Sequence, residues 1–169
     1  MEITIRNFEE KDISSITEII NHNILHSTSL YDYNIRTEKQ QLDLLKEKTE
    51  KGFPVIVAEV NNMVVGFGYY GGFRSREAYQ YTVEHSVYVN KDYTNKGIGN
   101  LLLPELIKRA KKQNLHTMIG VIDSENVGSI KFHEKHGFKV VATIPETGFK
   151  FNRWLNSVFV QLILDTENK

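Results

Sequence analysis

The stretch Tyr93–Lys112, YTNKGIGNLLLPELIKRAKK, opens with Lys96-Gly97-Ile98-Gly99 and turns at once into a helical pattern. It follows HSVYVN, the end of a strand-like run that begins near Tyr79. A strand, a glycine-bearing loop and a helix N-terminus in that order aim several backbone N–H groups at one point, where the helix dipole adds partial positive charge. Glycine lets the backbone approach an oxygen with no Cβ in the way. A pyrophosphate suits such a place, and so does a plain tight turn. Neither GxxxxGK[ST] nor GxGxxG is present, which excludes the P-loop and the dinucleotide fingerprint.

Working outward, residues 3–7 alternate as a short strand, and Asp12 is placed to cap a helix carrying Ile13, Ile16, Ile20 and Ile24. A polar segment with Tyr31 and Tyr33 follows. Thr37 to Lys51 reads as a second helix, with Thr37 as cap and Gly52 as stop. Val55–Val60 and Val64–Tyr70 read as a hairpin turned at Asn61-Asn62, which Gly71-Gly72 ends. After the strand Tyr79–Asn90 and the glycine-loop helix to about Gln113, the pattern gives a strand at Thr117–Ile122 and a helix at Asn126–His136 stopped by Gly137. Phe138–Ala142 and Val158–Leu164 supply the last strands. The order β-α-α-β-β-β-α-β-α-β-β predicts an α/β (α+β) protein: a mixed sheet with helices on its faces. Pro104 inside the glycine-loop helix removes a bond to the Asn100 carbonyl, at about 3 kcal/mol, and predicts a kink or local widening.

Composition narrows the classes. The chain has 169 residues, 40% hydrophobic and 25% charged, and 21 basic side chains balance 21 acidic ones. Without a basic excess a broad nucleic-acid surface is not expected. No stretch approaches the roughly 20 apolar residues of a membrane span, and the N-terminus lacks the apolar core of a signal peptide. Cysteine is absent, so disulfides, thiolate nucleophiles and thiolate metal sites are excluded. That composition fits a cytoplasmic protein.

Three further pieces carry polar chemistry. Glu84 stands in mid-strand on a face with Thr82, Ser86 and Tyr88; Tyr81, Val83, His85, Val87 and Val89 share the other face. A mid-strand carboxylate is either solvated or buried for a reason, and a buried one has a raised pKa and can take a proton. In SENVGSIKFHEKHGF, residues Asn126, Ser129, Ile130 and His133 share one helix face; taken singly, Asn126 is an N-cap and His133 a hydrogen-bonded, half-buried histidine. Arg74, Arg76 and Tyr79 precede the Glu84 strand, either as surface residues or as a grip for a substrate anion, since a guanidinium pairs with a carboxylate or phosphinate. His22 and His26 have a chelating spacing, but HExxH fails and no third ligand is evident, so no metal is expected.

Taken together, a strand, an xxGxG loop, a helix, a further strand and NxxSIxFHExxGF resemble the GNAT superfamily of N-acetyltransferases. SREAYQYTVEHSVYV, FHEKHGF and GFKFNRWL are similar, more narrowly, to the phosphinothricin N-acetyltransferase family, and the resemblance covers nearly the whole chain. It implies one N-acetyltransferase domain over residues 1–169, with a GNAT-type, mostly antiparallel central sheet flanked by helices. It implies acetyl-CoA as cosubstrate, its pyrophosphate on the N–H groups of Thr94, Asn95, Lys96, Gly97, Ile98, Gly99 and Asn100. The pantetheine arm would lie along Val87, Tyr88 and Val89, and the CoA arm would meet Asn126 and Ser129. Thr94 stands where the superfamily often has Gln or Arg; the implied backbone contacts do not depend on it.

The resemblance further implies Glu84 as general base and His133 as a second catalytic group, acting on the departing thiolate or assisting Glu84. The attack would be direct, since no cysteine can hold the acetyl group. Substrate-binding residues would be Arg74, Arg76 and Tyr79. The expected acceptor is a small amino acid of the phosphinothricin or methionine sulfone/sulfoximine type, in a homodimer that uses neither nucleic acid nor membrane. The other readings are transfer to a polyamine, an aminoglycoside or a protein N-terminus, and a non-catalytic CoA-binding sensor.

Overall fold

Asn61 and Asn62 both take positive φ, 49° and 62°, the backbone that a two-residue hairpin turn requires. They join β2 (Val55–Val60) to β3 (Met63–Gly72), and the sheet grows outward from that hairpin. The computed structural model describes residues 2–164; positions 1 and 165–169 of the expected domain lie outside them. Among the described residues the seven strands run in the order β1-β2-β3-β4-β5-β7-β6. The others are β1 (Thr4–Asn7), β4 (Thr82–Val89), β5 (Thr117–Asp123), β6 (Lys139–Lys150) and β7 (Arg153–Ile163). All neighbours are antiparallel except β4 and β5. The expected element order is observed, as is the mixed, mostly antiparallel sheet.

Helical spacing of apolar residues decides which helix covers which face. On α1 (Ile13–His26), Ile16, Ile20 and Ile24 are fully buried, and with Leu45 of α2 (Glu38–Glu50) they meet Val57, Phe67 and Tyr88. α2 begins with a reciprocal cap: Thr37 Oγ1 accepts from the Gln40 amide (3.2 Å), and Gln40 Oε1 accepts from the Thr37 amide (2.9 Å). On α3 (Gly99–Lys112), which continues past Pro104, Leu102, Leu103 and Leu106 pack the opposite face against Ile56, Ala58 and Val65. α4 (Val127–Lys135) completes that side.

Four local expectations are corrected. Asp12 does not cap α1: its buried carboxylate takes both guanidinium ends of Arg6 (2.7 and 2.8 Å) and the Glu9 amide (2.8 Å). Arg6 also holds Glu59 (2.9 Å), so the charge demand of β1 and β2 outweighs the cap. Gly71 and Gly72 do not break off β3 at Tyr70 but are its last two residues, paired with Glu84 and Val83. Tyr79 belongs to a 3-10 turn at Glu77–Tyr79, and β4 starts at Thr82. The last strands are far longer than expected, because β6 is exposed on both faces along most of its length and shows no alternation.

Glycines on β3 set how closely α3 approaches. A Cβ on Gly66 would lie 2.8 Å from Ile98 Cγ2 and 3.0 Å from the Tyr88 carbonyl oxygen. Ile98 sits at the mouth of α3, so this position fixes the helix end against the sheet. Gly66→Ala is expected to cost about 1–3 kcal/mol through overpacking, measured as a lower urea midpoint at unchanged m-value.

Candidate active site

β4 and β5 pair at three positions, ending at Glu84↔Ile119. Both strands then continue, β4 to Val89 and β5 to Asp123, while β4 stays on β3 and β5 stays on β7. The register fixes where the backbone of β4 points. Phe73 N–H donates to the Thr82 carbonyl (3.2 Å) and Asn90 N–H to the Val65 carbonyl (2.8 Å), so even-numbered residues exchange bonds with β3. Odd-numbered residues face the other way, as Thr117 N–H donating to the Tyr81 carbonyl (3.1 Å) shows. Past Glu84 the main-chain groups of His85, Val87 and Val89 therefore face the gap. The carbonyl of Ile119, at the end of the β4–β5 pairing, also lies 3.0 Å from His85 Nδ1.

The gap is a cavity of about 450 Å³, lined by residues from both faces of β4. Ser86 and Tyr88, with Asn23 and Ser29 at the end of α1, line it on one face; Gly120, Phe132 and His133 line it on the other. Thr94, Asn95, Gly97, Ile98, Gly99 and Asn100 form one wall, with Asn126 and Ser129 nearby. Asn95 (φ 60°) and Gly97 (φ 83°) are left-handed, which curls the loop. Gly97 is needed for that φ, since a Cβ there would meet nothing. The first amides of α3 have no partner within the helix and open on this wall. Asn126 caps α4, its Oδ1 accepting from the Ser129 amide at 3.1 Å.

Lys96 is placed differently. Its ammonium folds back to the Asp92 carbonyl (2.8 Å) and lies over the Tyr93 ring, and it does not line the cavity. The Thr94 hydroxyl is turned to the Lys91 carbonyl (3.0 Å).

Glu84 lies on the α1/α2 face of β4, beside the cavity rather than in its lining. Its side chain is half-buried, and burial raises its pKa above the ordinary glutamate value, opposed by the positive charges of Lys48 and Arg74. Burial lowers the pKa of Lys48, opposed by the nearby carboxylates of Glu47 and Glu84. Lys48 Nζ stands over the Tyr69 ring and 3.0 Å from where a Cβ on Gly71, the residue opposite Glu84, would be. Arg74 is exposed, stacked 5.1 Å from the Phe73 ring, which contacts Tyr79. Arg76 is exposed on the same turn.

On the opposite face, His85 and His133 are buried against each other with Nε2···Nε2 at 2.9 Å. Of the residues the sequence pointed to, the glycine loop and the α4 face line one opening, and Glu84 lies beside it. Sequence reasoning left His85 as a core position and passed over Lys48, Ser86 and Gly120. A histidine on a buried strand face was the available signal, because a buried imidazole needs partners. Among the described residues no cluster of three or more His, Asp or Glu could hold a metal ion, and no helix is long and apolar enough to cross a membrane.

Residues 5–159 match the acetyltransferase (GNAT) domain family. The chain is 40% identical over 163 residues to the L-methionine sulfoximine/L-methionine sulfone acetyltransferase of Salmonella typhimurium, covering 96% of this chain and 95% of that one. It is 37% identical to the L-amino acid N-acyltransferase MnaT of Escherichia coli, covering 96% and 95%. Its fold is similar to the crystal structure of a GNAT superfamily phosphinothricin acetyltransferase from Sinorhizobium meliloti in complex with acetyl-CoA, with TM-score 0.95, 33% identity and coverage of 100% and 92%.

The electrostatics of Glu84 are directly measurable. A carbon-detected NMR titration should show its carboxyl titrating above the ordinary glutamate value, and Lys48→Met should move it further up, since a charge favouring the carboxylate is gone. An unchanged midpoint would remove Lys48 from the site.

Proposed function

Because the chain belongs to the GNAT acetyltransferase family, we propose that it transfers the acetyl group of acetyl-CoA to the amino group of a small amino acid of the methionine sulfoximine, methionine sulfone or phosphinothricin type. The observation that carries this reading is the gap between β4 and β5, lined from both faces of β4, with a carboxylate beside it and the helix-mouth residues of α3 in its wall. The charges acting on Glu84 are Lys48 and Arg74. That side suits an acceptor that carries an anionic group, and it disfavours a polyamine or an aminoglycoside. A cosubstrate with a pyrophosphate and an extended amide-bearing arm matches the donors available: the amides of residues 95–100 for the former, the odd-numbered backbone groups of β4 for the latter. We place the reaction in the cytoplasm, and one domain over residues 1–169 carries it.

The mechanism follows from these positions. An amino acid binds with its amine protonated, and only the neutral amine attacks. Glu84, with its proton affinity raised by burial, accepts that proton directly or through water. Ser86 stands two residues along the same strand face, about 6–7 Å away, and already lines the opening. The Val87 amide, facing the gap, stabilises the oxygen of the tetrahedral adduct as charge develops. Holding amine and thioester together supplies much of the remaining acceleration. His133, lining the cavity from the other face, is placed to serve the departing sulfur. Arg74 and Arg76 are the guanidinium groups available for the acceptor's anion.

We also propose a homodimer, as the family resemblance implies. Trp154 is 59% exposed and packs edge-on with exposed Phe149, beside which lie Tyr33 and Phe151.

Three outcomes test the reading. Glu84→Gln should keep acetyl-CoA affinity and lose about 10²–10⁴ in kcat at neutral pH; unchanged turnover would remove the base. Gly97→Val forces a β-branched residue into left-handed backbone and should weaken acetyl-CoA binding about tenfold or more, by calorimetry. Trp154→Glu should shift the sedimenting species from dimer to monomer, and a wild-type monomer would refute the assembly.

A further inference from the structure

The two buried histidines admit a proton count. His85 Nδ1 lies 3.0 Å from the Ile119 carbonyl oxygen, and His133 Nδ1 lies 2.7 Å from the Ser129 carbonyl oxygen. A carbonyl only accepts, so each Nδ1 must carry hydrogen. The Ser129 hydroxyl, at 3.5 Å from His133 Nδ1, is too distant to reverse that assignment. With both Nδ1 atoms protonated, both Nε2 atoms of a neutral pair are bare, yet they stand 2.9 Å apart. That distance fits an N–H···N bond and needs one more proton. Three contacts call for three protons, and two neutral rings bring two.

The surroundings hold the rings in this geometry. Gly120 makes room for them, since a Cβ there would lie 2.8 Å from His85 Cε1 and 3.6 Å from His133 Nε2. Phe132 packs edge-on to His133, and Phe138 meets both rings. Both imidazoles still line the cavity. Burial works against charge, pushing His85 down to about 3 and His133 down as well. The hydrogen-bond geometry works the other way, because the neutral pair leaves two lone pairs facing each other. The charged groups nearby are few: His136 acts on His133 from the C-cap of α4, Glu84 lies on the opposite face of β4, and Ile119, Gly120 and Val160 of the adjoining strands carry no ionisable side chain.

We infer that His85 and His133 form a proton slot, in which one proton is held between the two Nε2 atoms and is given to the sulfur of coenzyme A as the C–S bond breaks. His85 is then a positioning residue that raises the proton affinity of His133, and His133 is the donor. The balance closes. Glu84 takes one proton from the ammonium, and the neutral amine forms the C–N bond. Collapse of the adduct breaks C–S, and the slot's proton forms S–H. The second proton shed by the amine nitrogen refills the slot through solvent. Delivery to sulfur rests on the acetyl-transfer reading; the shared proton does not.

The test is a long-range proton–nitrogen NMR correlation of the histidine rings in the uniformly labelled full chain, with His85→Asn and His133→Asn for assignment. The expected result is two protonated Nδ1 atoms, and two Nε2 atoms that move together through one titration step. Two rings that titrate independently, or a ring with a bare Nδ1 and a fixed Nε2–H, would overturn the slot. In kinetics, His85→Leu should leave acetyl-CoA affinity unchanged and move the alkaline limb of the kcat profile about one pH unit or more lower, because the proton on His133 loses its acceptor. His85→Asn should restore part of that shift, its amide oxygen accepting from His133. A limb that stays in place in both variants contradicts the role. If the rings share a proton but no amine is acetylated, the acetyl-transfer reading fails and the slot stands; if acetylation proceeds with independent rings, the slot alone fails.

Discussion

The separation of β4 from β5 beyond Glu84 and Ile119 is the constraint on which the rest of the structure depends. A parallel pair that continued would consume the main-chain groups of His85, Val87 and Val89 in its own ladder. Because β5 follows β7 and β4 follows β3, those groups face an opening instead. Unpaired backbone groups are costly when buried away from water, so a sheet that parts in its middle must offer them either solvent or a ligand with amides of its own. At the fork itself the imidazole of His85 also bonds the Ile119 carbonyl. The glycines of β3 let α3 close on the sheet, which brings its N-terminal amides to the far end of the same opening.

Charge is distributed unevenly around this gap. On the α1/α2 side Glu84 feels burial and two cations, which act in opposite directions on its proton affinity. On the α3/α4 side two imidazoles stand in an apolar setting between Gly120 and two phenylalanines. Glu84 and His85 are thus adjacent in sequence and lie on opposite faces of one strand. Alternation along a strand places a carboxylate beside one side of the gap and an imidazole on the other. A single strand therefore carries a titratable group to each face, and His133 of α4 meets the second of them.

Much of this was legible in the sequence. The order of elements followed from periodicity and from local signals with a definite mechanism: the Thr37 cap, the Asn61-Asn62 turn, the glycine stops. The glycine loop and the α4 face were readable because helix spacing and backbone chemistry are local. What was not legible depends on long-range pairing. Nothing in TVEHSVYV states that its ladder with β5 ends after three positions. His85 alternates with Val83 and Val87 and so reads as core; its imidazole partner, His133, arrives from 48 residues away. Lys48 looked like one more charge on an exposed helix, whereas its side chain folds over Tyr69 beside the Glu84 strand. The length of β6 was hidden because both its faces are exposed and carry apolar residues without alternation.

A crystal structure with bound coenzyme A would test the central claim most directly. The account predicts the pantetheine arm hydrogen-bonded to the odd-numbered backbone groups of β4, the pyrophosphate on the amides of residues 95–100, and the sulfur in the gap between Glu84 and the His85–His133 pair. Coenzyme A bound with its arm outside the gap, or with β4 and β5 closed into a continuous ladder beneath it, would contradict the account.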